Sequence, residues 1–413
     1  MTELSRRQFL VAGGAALVAT ASAAEPAQAT GLAAMTITGT AVSTLKSFDS
    51  AMTTFMTERG ITNGQLAVAR GGKLMLARGY TSGGSVTTQP TSLFRIASVS
   101  KHITATAIMR LVQEGKLSLG ANVASLLGLP TTADPRLANV TIWRLLQHTG
   151  GWNKDISGDP VFKDATISKA LGDTLPVSQE SIITYVTGRK LDFAPGSSVA
   201  YSNFGYLLLG KVIEKISGMP YATYVQSKLF SPLGIDRMRL GQTLTRAAGE
   251  VTYDSSSTGT NVMDTSGDTV KYPYGGFNLE NMAANGGWIA SAVDLVRFEL
   301  IFDKPSVGIL NATSIGRMFA VPETGVNANG WYYGAGWQVR PVSGGKLNTW
   351  HTGGLPGTYT LVVRRSDGIT FAALFNRRQE GGAPSFSSID PLLNQAASSV
   401  TAWPIADRFS AYF

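Results

Sequence analysis

No cysteine occurs among the 413 residues, which excludes a disulfide framework, a thiol nucleophile and a lipoprotein anchor. Histidine is nearly as scarce, with three copies. Neither HExxH nor a comparable spacing brings three ligands together, so no zinc centre is expected. Charged residues make up 15% of the chain. The net charge is +8, yet lysine and arginine are scattered in runs of at most two, which reads as a solvated basic surface and not as a nucleic-acid-binding stripe. Past the first residues, no apolar run approaches the roughly eighteen residues of a membrane span.

What is present begins with "MTELSRRQFLVAGGAALVATASAAEPAQATG", where Arg6 and Arg7 precede a mildly apolar, Ala- and Gly-rich stretch. This reads as a twin-arginine export signal over residues 1–29. Cleavage after Ala29 is expected, with Ala23 as the alternative. The mature protein is then periplasmic or extracellular, carries no membrane anchor and is expected to be a monomer.

Apolar residues recur at helical spacing from Val42 to Phe55, and two short apolar runs around Gly71-Gly72 predict a hairpin. The far end mirrors this, with strand-like segments around a turn at Asp367-Gly368 and a closing helix containing Phe386, Ile389, Leu392, Leu393 and Ala396. Helices and loops fill the middle. The architecture expected is α+β: an antiparallel sheet built from both chain ends, flanked by helices, with an inserted all-helical lobe. One domain is assigned to 36–408, with a sheet lobe over about 36–116 and 291–408 and the helical lobe over about 117–290.

The tetrapeptide HTGG occurs twice, after His148 and after His351, and consumes two of the three histidines. In "NVTIWRLLQHTGG", Thr141 can cap a short helix whose last turn holds His148, a structural role. The copy at 351 precedes the β-rich "TYTLVV", so His351 is expected on or beside a strand. Unlike flanks argue against a repeat.

Ser98 and Lys101 lie one turn apart at the start of the apolar-periodic helix in "SLFRIASVSKHITATAIMRLVQEG". A serine hydroxyl at a helix N-terminus beside a lysine resembles an activated nucleophile. SxxK also occurs at Ser43–Lys46, where the pattern suggests mid-helix, and at Ser343–Lys346, a Gly-Gly turn; of the three only Ser98 is expected to begin a helix. His102 faces another side of that helix. "GYLLLGKV" mimics a phosphate loop but reads as a buried helix, and Glu323 to Asn327 as a surface loop. No GxSxG elbow exists.

Order and company strengthen the Ser98 pair: Tyr201 and Asn203 follow in "AYSNFGYLLLG", then His351-Thr352-Gly353-Gly354. With "LFRIASVSK", "TIWRLLQHTGGW" and "YGAGWQV", the sequence resembles the penicillin-recognising serine hydrolases: class C β-lactamases, D-alanyl-D-alanine carboxypeptidases, D-aminopeptidases and related secreted esterases. The resemblance covers nearly all of the mature chain. It implies that Ser98 is acylated, that Lys101 assists its deprotonation, and that Tyr201 relays protons with its phenolate stabilised by Lys101. It further implies that Asn203 holds the acyl carbonyl or orients Lys101, and that Ser98 and Gly354 offer backbone N–H groups as an oxyanion hole. His351 and Thr352 would bind substrate on the strand, with Gly353 and Gly354 letting it approach closely. No cofactor is implied. Many relatives carry lysine in place of His351; a histidine there is largely neutral at pH 7, and activity is expected to rise through roughly pH 6 to 7 if it acts while neutral.

The function expected is hydrolysis of an amide or ester through an acyl-enzyme at Ser98, carboxypeptidase-like or esterase-like, on a small-molecule or peptide substrate such as a peptidoglycan stem peptide. β-Lactam turnover is the alternative, and a wall-peptide-binding protein without turnover is the rival of another class.

Overall fold

A computed structural model describes residues 34–83, 86–303 and 308–413. The leader expected at 1–29 lies outside them. From Ala33 to Phe413 the chain folds as one compact unit.

Its frame is an eight-stranded antiparallel sheet. In spatial order the strands are Thr36–Thr38, Lys73–Thr81, Asn63–Arg70, Ile369–Phe375, Thr358–Arg364, Lys346–Leu355, Gln338–Val342 and Tyr332–Tyr333. The first three come from the N-terminal end and the rest from the C-terminal end; they meet where Asn63–Arg70 pairs with Ile369–Phe375.

Side-chain alternation explains why the sheet is buried on both faces. Leu66, Val68, Phe371, Ala373 and Phe375 point to one side, where the helices Lys46–Arg59 and Ile389–Ser398 bring Phe48, Met52, Phe55, Ile389 and Leu393 into the same core. Ala67, Ala69, Ala372 and Leu374 point to the other, toward a larger core with the helices Ser100–Gln113, Asn203–Ser217 and Ala292–Phe298.

The inserted segment is not all-helical. Beside helices such as Ile142–Leu146, Asp164–Leu171, Gln179–Thr187 and Asn203–Ser217, it contains the short strands Arg239–Leu240, Thr258–Thr260, Thr269–Lys271 and Trp288–Ala290. Trp288–Ala290 lies between Phe94–Arg95 and Arg239–Leu240 in a three-stranded ribbon, which pins the backbone just before Ser98. Two or three residues of pairing leave no readable alternation.

Candidate active site

Ser98 sits in the 3-10 turn Ala97–Val99, which runs directly into the helix Ser100–Gln113. The turn is held from three sides. Thr358 and Thr360 on the sheet donate to the carbonyls of Arg95 and Ile96, each at 2.9 Å, and the Ile96 amide donates to Trp288 O at 3.0 Å. Arg95, fully buried, donates to the carbonyls of Pro273, Gln242 and Thr243. Ala97 is consequently forced to a φ of 47°. Among the described residues only one other non-glycine has a positive φ, His148 at 58°, and it too borders the site. Strain of this kind persists where surrounding structure over-determines the backbone.

Lys101 has no solvent exposure. Its ammonium lies 3.1 Å from Ser98 Oγ, 2.6 Å from Asn203 Oδ1 and 2.6 Å from the Asn285 carbonyl. Burial pulls its pKa down to about 7, against the opposing pull of Asp159. On its far side the Asn203 amide donates through Nδ2 to Asp159 Oδ2 at 2.6 Å. The carboxylate can only accept there, so Asp159 fixes which end of the amide faces Lys101. Burial raises the pKa of Asp159 itself. Ser202, not Tyr201 or Asn203, caps the following helix, accepting from Gly205 N at 3.2 Å; this leaves the side chains on either side of it for the site.

The Tyr201 ring lies 4.8 Å from the Lys101 ammonium. Its hydroxyl is buried without a well-aligned hydrogen-bond partner; the nearby Ser98 hydroxyl favours the phenolate, but burial outweighs this and pushes the phenol well above its ordinary range. The expectation of a phenolate stabilised by Lys101 is not met: desolvation of the anion, with Asp159 adding to it, exceeds what the interaction with Ser98 returns.

His351 also departs from expectation. It is 3% exposed, with Nδ1 2.7 Å from the Thr352 carbonyl and Nε2 2.7 Å from the Tyr333 hydroxyl. The carbonyl requires a proton on Nδ1, so Nε2 accepts from the tyrosine. Both ring nitrogens are engaged within the protein, and neither is offered to a substrate. Burial takes its pKa down to about 3, so His351 does not titrate between pH 6 and 7.

His148 is structural in a different manner from the one expected: its Nδ1 accepts from the Ser202 amide at 3.1 Å and its carbonyl from Ala200 N at 2.9 Å, pinning the segment that carries Tyr201. Its ring centroid lies 4.3 Å from that of Tyr333. The two HTGG copies thus share no local structure, yet their histidines pack against the same tyrosine from different elements.

The strand Lys346–Leu355 is paired to Thr358–Arg364 from Thr349 to Leu355, while its other neighbour covers it only from Lys346 to Trp350. From His351 onward, one edge is free of a neighbouring strand. A Cβ on Gly353 would overlap the Ile96 carbonyl and Thr360 Oγ1, so this glycine lets the strand press on the Ser98 turn. One on Gly354 would meet nothing within 4 Å, on the open side. Thr352, just before them, is half-buried.

The remaining SxxK sequences have no such company. Ser43, contrary to the mid-helix reading, starts a 3-10 turn at a helix entrance, and both it and Lys46 are exposed; Ser343 begins the expected hairpin turn. Burial of the lysine, not position at a helix start, distinguishes Ser98. His102 is fully buried, stacked 4.6 Å from Trp337 and 3.0 Å from a Glu299 oxygen. Sequence reasoning missed Asp159, Asn285 and Tyr333 as members of the site. Tyr333 opens the segment "YGAGWQV", whose place among the segments that carry the resemblance was the available signal.

A two-faced antiparallel sheet with a serine–lysine turn docked on one strand defines the β-lactamase-like class of fold. The chain belongs to the beta-lactamase family of serine hydrolases, whose family model matches residues 48–387. It is 28% identical over 319 residues to penicillin-binding protein 4* of Bacillus subtilis strain 168, covering 74% of this chain and 66% of that one. It is 34% identical over 186 residues to esterase EstB of Burkholderia gladioli, covering 43% and 47%. A match of 32% over 167 residues to the probable fimbrial assembly protein FimD, serogroup H1, of Dichelobacter nodosus covers 40% of each chain, so the chain spans less than half the length of such relatives. Among solved structures, D-amino acid amidase from Ochrobactrum anthropi SV3 superposes with a TM-score of 0.66 at 19% identity, over 86% of this chain and 98% of the amidase, a likeness of fold.

Proposed function

We propose that the chain hydrolyses an ester or amide through a covalent acyl-enzyme on Ser98, with neutral Lys101 as the base. The observation that carries this reading is the set of three atoms around the Lys101 nitrogen. Asn203 Oδ1 and the Asn285 carbonyl can only accept. A neutral amine has two protons and one lone pair, so both protons go to those oxygens and the lone pair is left facing the third neighbour, the Ser98 hydroxyl at 3.1 Å. With a pKa of about 7, roughly half the lysines are in this form at neutral pH.

Ser98 Oγ attacks the carbonyl as its proton passes to Lys101, and the backbone N–H groups of Ser98 and Gly354 receive the oxyanion. Tyr201, protonated because of its burial, suits the role of donor to the leaving group, taking the proton back from Lys101 across the same cluster. His351 acts as a positioning residue through Tyr333. Asn203 orients Lys101 and offers its amide to the acyl portion. Deacylation repeats the sequence with water in place of the serine hydroxyl.

Esters and amides with an uncharged leaving portion are favoured over β-lactams and D-alanyl-D-alanine termini, because the residue replacing the lysine of many relatives is a buried neutral imidazole with no free nitrogen. Export is part of this reading, resting on Arg6, Arg7 and the acid-poor run after them. The test is a parallel assay on a short-chain nitrophenyl ester, a D-amino-acid anilide, a D-alanyl-D-alanine peptide and a chromogenic cephalosporin. Turnover of one of the first two, lost in Ser98→Ala, is the expected result. Absence of Ser98-dependent turnover on all four would favour a wall-peptide-binding protein without turnover.

A further inference from the structure

On the side of Asn203 turned away from Lys101, where its amide meets Asp159, lies a cavity of about 230 Å³, room for about seven waters at roughly 30 Å³ each, or for a short acyl chain. Ser202 and Asn203 lie on its inner side, and Trp152, Tyr185 and Val186 supply apolar surface. Four cations, Lys154, Lys163, Arg189 and Lys190, also line it.

The acidic groups nearby are committed elsewhere. Asp155 pairs with Lys154 at 2.5 Å. Asp192 accepts from the Asn153 amide and the Ser157 hydroxyl. Asp159, the one carboxylate in the lining, is turned to the Asn203 amide, so the lining holds four cations against one anion. Among the described residues no carboxylate lies within ion-pair distance of Lys163, Arg189 or Lys190. Arg189 is also preorganised: its guanidinium lies 3.4 Å over the Tyr185 ring and donates to the Tyr185 carbonyl, leaving the rest of the fork for a planar anion.

Position decides which part of a substrate would enter. The leaving group must sit against its proton donor, on the Tyr201 and Tyr333 side. An acyl remainder running away from that donor would reach the cavity by passing Asn203, which lines it. We infer that this cavity is the acyl subsite and takes an acyl chain ending in a carboxylate, held by Arg189 and Lys190, so that the preferred substrates are esters or amides of dicarboxylic or acidic acyl groups. This rests on the acyl-enzyme reading of Ser98.

The experiment compares the 4-nitrophenyl monoester of adipic acid, an anion, with the same ester methylated at its distal carboxylate. Two unpaired cations near a carboxylate in well-hydrated surroundings favour it by about tenfold in kcat/KM at low salt, shrinking as salt is raised. An Arg189→Gln, Lys190→Gln double variant should bring the anion-to-neutral ratio to about one; being a ratio, it cancels any loss common to both substrates. A wild-type ratio at or below one, or a ratio that survives the double substitution, overturns the subsite assignment while leaving Ser98 chemistry intact. If neither ester is hydrolysed in a Ser98-dependent manner, the acyl-enzyme reading fails and the subsite falls with it.

Discussion

Replacing Asp159 by asparagine removes one negative charge without removing an acceptor for the Asn203 amide, since the new carboxamide oxygen can take the same hydrogen bond. The path from Asp159 to the Lys101 nitrogen runs through two contacts of 2.6 Å and the width of one amide, about 7 Å in all. At an effective dielectric constant of about 20, a unit charge at that distance stabilises the ammonium by about 2 kcal/mol, or between one and two pH units. Asp159 raises the Lys101 pKa and burial lowers it to about 7; with the carboxylate gone only the lowering remains. If neutral Lys101 is the base, kcat/KM for a nitrophenyl ester rises with pH through about 7 in the wild type, and in Asp159→Asn the same rise occurs one to two units lower. At pH 6 the variant is then the faster enzyme relative to its own plateau. A midpoint that stays in place or moves upward would refute the view that Lys101 must lose its proton.

Ser98→Ala should abolish covalent labelling by a fluorophosphonate while leaving the fold intact by circular dichroism. Tyr201→Phe should lower kcat/KM more than tenfold on an anilide and less on a nitrophenyl ester, whose leaving group needs no proton; equal losses would remove Tyr201 from proton donation. With a pKa of about 3, His351 stays neutral throughout the assay range, so His351→Gln should keep the midpoint near pH 7 although the rate falls; loss of that inflection would return the titration to the histidine. Gly353→Ala should lower stability by about 2 kcal/mol or more, because the added methyl overlaps the Ile96 carbonyl, and Gly354→Ala should be nearly neutral in thermal denaturation.

The sheet and its two outer helices were legible because their patterns are local. Leu66 and Val68 alternate with Ala67 and Ala69, and Phe48, Met52 and Phe55 keep a helical period on the buried face. The short strands of the inserted segment were not, since two paired residues such as Arg239 and Leu240 create no period. Motif order assembled Ser98, Lys101, Tyr201 and Asn203 on the page, but Asp159 looks like any loop aspartate before a proline; only its contact with Asn203, 44 positions away, marks it out. A neutral His351 was expected and is found, but the size of its shift and the protonated state of Tyr201 were not legible: spacing reveals which groups are near, while desolvation, which dominates both pKa shifts, depends on everything else packed around them.

Because the sheet is stitched from both ends of the chain, the serine and its lysine are made long before their surroundings. A polypeptide grown only as far as residue 340 carries Ser98 and its helix, Tyr201 and Asn203, yet it lacks the strand that presses on the Ser98 turn and the two strands that join this one to Asn63–Arg70. The Ser98 turn therefore gains its sheet-side support only when the last fifth of the chain is in place.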